Sequence, residues 1–146
     1  MIAANTGALD TITNFDVAND GLRLKMGNGS YYGDEQALSG NVSTVLDGGG
    51  IYVDANGNTL TASAANGIIS FGASDASGAA VDAAISLEQK LYVATNNIAI
   101  NKVAGFAHEG DFYVVATGAT NGSTTDDLVI KLAGVGGITD ITTLLA

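Results

Sequence analysis

Apolar and polar positions alternate along several short stretches of this chain. Leu22, Leu24 and Met26 alternate with Arg23 and Lys25, the period-two pattern of a strand with one buried face. Residues 9–15 read as a strand before it, joined through the turn Asp16-Val17-Ala18-Asn19-Asp20-Gly21. Ile51-Tyr52-Val53 and Thr59-Leu60-Thr61 flank Asp54-Ala55-Asn56-Gly57-Asn58, and Asn-Gly between two β-prone runs predicts a hairpin. Gly67-Ile68-Ile69-Ser70-Phe71, Val103–Phe106, Asp111–Thr117 and Asp126–Leu132 supply further strands. The last two, separated by the polar loop Gly118–Thr125, are expected to pair antiparallel. Residues 27–50 read as loop or short irregular strand.

The period changes over about residues 79–97. Ala84, Leu87, Leu91, Ala94 and Ile98 recur every three or four positions, which marks one helical stripe. Ser74 or Ser77 is placed to cap its start, and Asn96-Asn97 and Gly105 supply stop signals. The Thr-rich apolar tail from Ile138 to Ala146 predicts a short helical turn. The chain has no fixed-period repeat. The expectation is one domain over 1–146, mainly β, a sandwich or short β-roll with one amphipathic helix at about 79–97. Residues 1–75 would hold the strand-turn-strand unit and the hairpin, and 76–146 the helix and C-terminal strands.

Composition narrows the function. Fifteen acids against five Lys and Arg give a net charge of -10, which disfavours nucleic acid and anionic membrane as partners. Clustered Asp and Asn oxygens in such a field suit calcium. An apolar share of 47% with 14% charged residues argues against disorder, and Gly at 20 with no Pro suits short strands and tight turns. The absence of Cys excludes disulfides, thiolate catalysis and cysteine-based zinc sites. Met1-Ile2-Ala3-Ala4-Asn5 lacks the basic region of a secretory signal peptide, and no run approaches the roughly 18 apolar residues of a membrane span.

Candidate chemistry is sparse. His108 is the one histidine, beside Glu109 and Asp111; a single His cannot build the usual zinc site, and an exposed turn between strands accounts for it. No nucleophile elbow or phosphate-binding loop is present, so no enzyme activity is expected. Asp54-Ala55-Asn56-Gly57-Asn58 begins like an EF-hand loop, but its twelfth position is Ala65 where a bidentate Glu is required. Asp10, Asp16, Asn19 and Asp20 surround one strand-turn-strand unit and form the first candidate calcium site; Asn121, Asp126 and Asp127 form the second. The competing reading of both is Asx-turn hydrogen bonding to the backbone.

Two stretches carry a resemblance. Asp10-Thr11-Ile12-Thr13-Asn14-Phe15-Asp16 with Asp20-Gly21-Leu22-Arg23-Leu24 resembles the D-x-I-x-D-F … D-x-L-x-L segment that follows calcium-binding nonapeptide repeats in RTX proteins. Gly67–Phe71, the Ala-rich helix, Gly105-Phe106, Gly110–Val115 and Asp127–Val135 are similar in order to the C-terminal regions of RTX-type surface-layer proteins and adhesins. The resemblance implies an uncleaved C-terminal signal read by a type I exporter, and folding outside the cell on calcium. The G-G-x-G-x-D repeats themselves are absent; Asp47-Gly48-Gly49-Gly50 only echoes them, so a calcium β-roll lies upstream in a longer protein or is missing. The function expected is that of a secreted structural protein, extracellular or on the bacterial cell surface. It would associate with identical subunits into a surface layer, adhesin or filament. The alternatives are a passive export and folding module of a larger RTX protein, and a surface carbohydrate-binding module, which needs an exposed aromatic platform.

Overall fold

The computed structural model describes residues 9–26, 29–42, 45–46, 49–50, 58–74, 78–118 and 127–146. Its elements are β1 (Asp10–Ile12), β2 (Gly40–Val42), β3 (Val45–Leu46), β4 (Gly49–Gly50), β5 (Leu60–Ala65), β6 (Ile68–Ala73), α1 (Gly78–Ala84), α2 (Leu87–Asn96), β7 (Val103–His108), β8 (Asp111–Ala116) and β9 (Leu128–Leu132). Short 3-10 turns lie at Asp34–Gln36 and Ile141–Leu144. β3 and β4 form a two-stranded pair of their own, and the others make a seven-stranded mixed sheet in the order β1-β9-β8-β7-β6-β5-β2. The fold is therefore mainly β, as the alternating pattern predicts.

Two tight hairpins build the middle of the sheet. Asn66 (φ 50°) and Gly67 (φ 75°) turn β5 into β6, and Glu109 (φ 50°) and Gly110 (φ 85°) turn β7 into β8. Both central residues are left-handed in each, as a two-residue turn matched to strand twist requires. The turn expected around Asn56-Gly57 lies outside the described residues, as does its first strand, Ile51-Tyr52-Val53. β8 and β9 pair antiparallel, Phe112 facing Leu132 and Ala116 facing Leu128, in line with the sequence reading. Two parallel pairings were not foreseen: β1 with β9, and β6 with β7 at the single position Ile68–Gly105.

The helical stretch expected over about 79–97 is present in two pieces, broken at Ile85–Ser86. A capping box begins the second piece: the Gln89 N–H donates to Ser86 Oγ at 3.2 Å, and the Ser86 N–H donates to Gln89 Oε1 at 3.0 Å. Ser-x-x-Gln is a helix-start signal; here it lies within an apolar stripe that continues through it, so periodicity alone hides the break.

Burial explains the layering. One face of the sheet packs under the helices through Leu60, Ile69, Phe71, Val81, Leu91, Phe106, Tyr113 and Val115. The other face, over β7, β8 and β9, packs through Val103, Phe112, Val114, Ile130 and Leu132 against Leu22, Leu24, Tyr32, Val135, Ile141 and Leu144. Successive side chains of β8 thus enter two different cores, and Phe112 through Ala116 are all buried. The segment at 22–26, expected as a strand, contributes only the isolated bridges Leu22–Leu145 and Lys25–Tyr31. Its alternation is real, with Leu22 and Leu24 buried and Arg23 and Lys25 exposed, but it lies against the sheet face as a cover. The tail is stitched to it, the Leu22 N–H donating to the Leu144 carbonyl and the Ala146 N–H to that of Leu22. Gly105 is required here, because a Cβ on it would fall 2.5 Å from two Phe112 ring carbons.

Candidate functional site

The turn after β1 closes on itself. The Ala18 N–H donates to Asp16 Oδ1 at 3.0 Å, the Asn19 side-chain amide to Asp16 Oδ2 at 2.7 Å, and the Asp16 N–H to Asp20 Oδ2 at 2.9 Å. The Asn19 amide, then the Ala18 N–H, hold the Asp16 carboxyl below its usual range, because both donors favour the charged form. Asp10 lies on β1, exposed. Both oxygens of Asp16 and one of Asp20 thus accept hydrogen bonds from within the turn. In the second candidate set, Asp127 Oδ1 accepts the Gly118 N–H at 2.9 Å, linking the ends of β8 and β9, while Asn121 and Asp126 lie outside the described residues. Among the described residues, no group of three or more His, Asp or Glu side chains converges to hold a metal ion. The EF-hand-like stretch from Asp54 to Gly57 is outside them too.

His108 ends β7 and faces Asp111 across the hairpin. It is half-buried, its ring centre 6.5 Å from that of Tyr113. Asp111 is committed elsewhere: Oδ2 meets Lys131 Nζ at 2.6 Å, and Oδ1 accepts the Gly134 N–H at 2.8 Å. Lys131, and next the Gly134 amide, lower the Asp111 carboxyl below its usual range, and Asp111 in turn raises Lys131. This cluster fastens β8 to β9 and to the loop beyond β9.

Sequence reasoning missed Lys90. Its side chain is 1% exposed. Nζ meets Asp82 Oδ1 of α1 at 2.8 Å, donates to the Ala107 carbonyl of β7 at 3.1 Å, and sits 5.4 Å from the Phe71 ring centre. One ammonium thus ties both helices to the sheet. Asp82 and Ala107 also border a hollow of about 360 Å³ between β6 and β7, with Phe71, Phe112 and Ile138 among its walls. The signal was present: Lys90 falls on the stripe of Leu87, Leu91 and Ala94, and a lysine on a buried stripe needs a partner.

The surface differs between the two halves of the sheet. β2, β5 and β6 pack into the first core on the helix side; on the opposite face Ile68, at the start of β6, packs against the second core. The opposite face presents Asn41, Thr61, Ser63, Ala65 and Ser70, all exposed, around a shallow depression of about 370 Å³. None of these three strands carries a charged residue, although the chain carries -10. Among the described residues the exposed large apolar side chains are Val17, Tyr31 and Ile100, and Tyr31 lies under the Arg23 guanidinium at 4.4 Å. No helix among the described residues is long and apolar enough to cross a membrane. This places the chain, at the level of class, among mainly β domains built on one mixed sheet with two helices on one face. Comparison with protein-family models, with curated proteins and with solved structures finds no match for this chain.

Proposed function

We propose that this chain is a secreted structural module that associates with copies of itself in a surface layer, adhesin or extracellular filament, exported by the type I route. The observation that carries the reading is the neutral half of the sheet: β2, β5 and β6 hold no charge in a molecule of net charge -10. Like-charged copies repel over most of their surface, and a neutral, hydrogen-bonding face is where contact costs least. The burial of the tail supports export before folding. Ile141 and Leu144 are fully buried, so a signal in this tail would be read from the unfolded chain and hidden once the domain closes. Calcium enters this reading as a counter-ion that reduces self-repulsion.

Sedimentation velocity of the purified chain, with millimolar calcium and with chelator, tests the proposal. The expected result is concentration-dependent association that calcium strengthens. A strictly monomeric chain at high concentration in both conditions refutes self-association. Secretion of a reporter fused to the chain, with and without residues 90–146, tests the export route separately.

A further inference from the structure

We infer that residues 138–146 form an exchangeable strap, and that copies of this chain join by seating the strap of one in the socket of another; this rests on the self-association proposed above. Side chains anchor the strap. Ile141 and Leu144 are fully buried in the second core. Gly67 forms the floor of the socket: a Cβ there would lie 2.1 Å from Ile141 Cγ2, so only a residue without one leaves room for that side chain. The backbone holds the strap lightly. The Ile141 N–H donates to the Asn66 carbonyl, the Leu22 N–H to that of Leu144, and the Ala146 N–H to that of Leu22. Leu145 meets Leu22 in an isolated bridge, and the seven strands of the sheet pair without the strap. The sheet therefore stands complete while the socket is empty.

The link to the strap is a hinge. The Gly134 N–H is held by Asp111 Oδ1, and Val135 is buried in the second core, so the parent copy keeps both. Gly136 and Gly137 follow, both exposed. A Cβ added at either would meet nothing within 4 Å, and Gly137 is left-handed at φ 73°. Two glycines with open space around them can redirect the chain at little cost. The occupant is a second copy because the socket is shaped to this sequence: the notch at Gly67 takes Ile141, and Leu22 pairs with Leu145. A neighbour's strap fills the same notch and makes the same bonds, so exchange loses no contact and changes only the hinge. Ile138–Ala146 carries a single charge, Asp140, in a chain of net charge -10, so repulsion between copies opposes this contact little. Two copies that exchange straps close as a dimer, whereas a strap passed always to the next copy extends a filament. A strap must leave its own socket first, so exchange accompanies folding among crowded copies and is slow between folded ones.

The chain has no Cys, which allows a direct test. A Cβ at Gly21 would lie 2.5 Å from the Ala146 Cβ, and both residues are exposed. A disulfide holds its Cβ atoms about 3.8 Å apart, so a small shift of the strap lets one form. Gly21→Cys and Ala146→Cys chains are mixed in denaturant, refolded together at high concentration and oxidised, and the linked species are told apart by mass. The expected result is a mixed disulfide in about tenfold excess over either self-linked form, some 1.4 kcal/mol. Random pairing, in which the mixed form merely doubles each self-linked one, overturns the exchange. The double variant refolded in dilute solution checks the geometry by linking within one chain. Should it not link, Gly67→Ala, which fills the socket, and Ile141→Asp, which spoils the strap, take its place in sedimentation equilibrium. Association of the mixture, with neither variant associating alone, is then expected; a mixture that stays monomeric, or a single variant that associates like the unaltered chain, overturns the exchange. If the unaltered chain associates while these tests fail, the strap is wrong and self-association stands. A chain monomeric at every concentration overturns both.

Discussion

Lys90 offers the sharpest test of how this fold is held. Its ammonium is 1% exposed and has two polar partners, Asp82 Oδ1 at 2.8 Å and the Ala107 carbonyl at 3.1 Å. Removing either end of the ion pair has very different consequences. Asp82→Ala leaves a buried cation without its counter-charge. Breaking buried pairs in this way costs about 3–5 kcal/mol. Asp82 is itself 47% exposed, so water screens part of the attraction and the expected loss is nearer about 2–3 kcal/mol. Lys90→Met instead removes the charge from the interior and leaves a carboxylate that already reaches water. Its cost is the unpaired Ala107 carbonyl, about 1–2 kcal/mol, partly offset by the better-buried apolar side chain.

The double variant should therefore be no less stable than Lys90→Met alone, because Asp82 has nothing left to neutralise. Urea unfolding followed by circular dichroism gives the four free energies of the cycle. At about 2–4 °C per kcal/mol for a domain of this size, Asp82→Ala should lower the melting temperature by about 4–12 °C. The reasoning fails if Asp82→Ala costs less than Lys90→Met, or if the two losses add in the double variant; either result would mean that the ammonium is solvated some other way.

Two further outcomes follow from geometry already described. Gly105→Ala should destabilise by about 1–3 kcal/mol in thermal unfolding, because the new Cβ meets the Phe112 ring at 2.5 Å and the Tyr113 carbonyl at 2.9 Å; an unchanged melting temperature would show that the ring moves aside freely. The lowered Asp111 carboxyl makes the native state prefer its ionised form, so the Asp111–Lys131 contribution is present above the usual value near 3.8 and is lost as the pH falls through the lower native value. The melting-temperature difference between the natural chain and Asp111→Asn should hold steady from neutral pH to the usual carboxylate range and shrink below it, and a difference that ignores acid would sink the assignment.

The parts of this fold legible in the sequence are those set by local alternation. β8 and β9 are readable because Phe112–Ala116 are all apolar and Leu128–Leu132 are apolar but for Lys131, and their antiparallel pairing follows from adjacency. The Leu22–Met26 pattern correctly marked one buried face, but alternation says only that a surface is half-buried, and here that surface belongs to a covering segment with two isolated bridges. The Asn66-Gly67 turn carried the same signal as Asn56-Gly57 and was overlooked beside it. The parallel partners of β6 and β9 were illegible, since pairing across α1 and α2, or from β1 to β9, depends on which faces need cover. At the candidate sites, the Asp16 turn was legible as a cluster of oxygens; that Asp16 and Asp20 turn those oxygens on the turn's own N–H groups is a matter of backbone geometry. Lys90 was legible as a misplaced charge on a stripe, and its partners were not, because Asp82 and Ala107 lie on two different elements.

The uneven cover of the sheet has a cause in the chain's own economy. β7, β8 and β9 are apolar on both faces, with Phe112, Val114 and Leu132 on one and Phe106, Tyr113 and Val115 on the other, so they need two covering layers. The helices supply one. The other is supplied by Leu22, Leu24, Met26 and Tyr32 together with residues 135–145, drawn from opposite ends of the described chain and joined at Leu22 and Leu144. β5 places Thr61, Ser63 and Ala65 opposite Leu60, Ala62 and Ala64, and β6 places Ser70 between Ile69 and Phe71, so this half asks for one layer only, apart from Ile68, which packs on the second core. A polar face built of hydroxyls and small side chains gains little from burial and loses little in water. In a chain with fifteen acids, the absence of charge from β2, β5 and β6 lowers like-charge repulsion at this face.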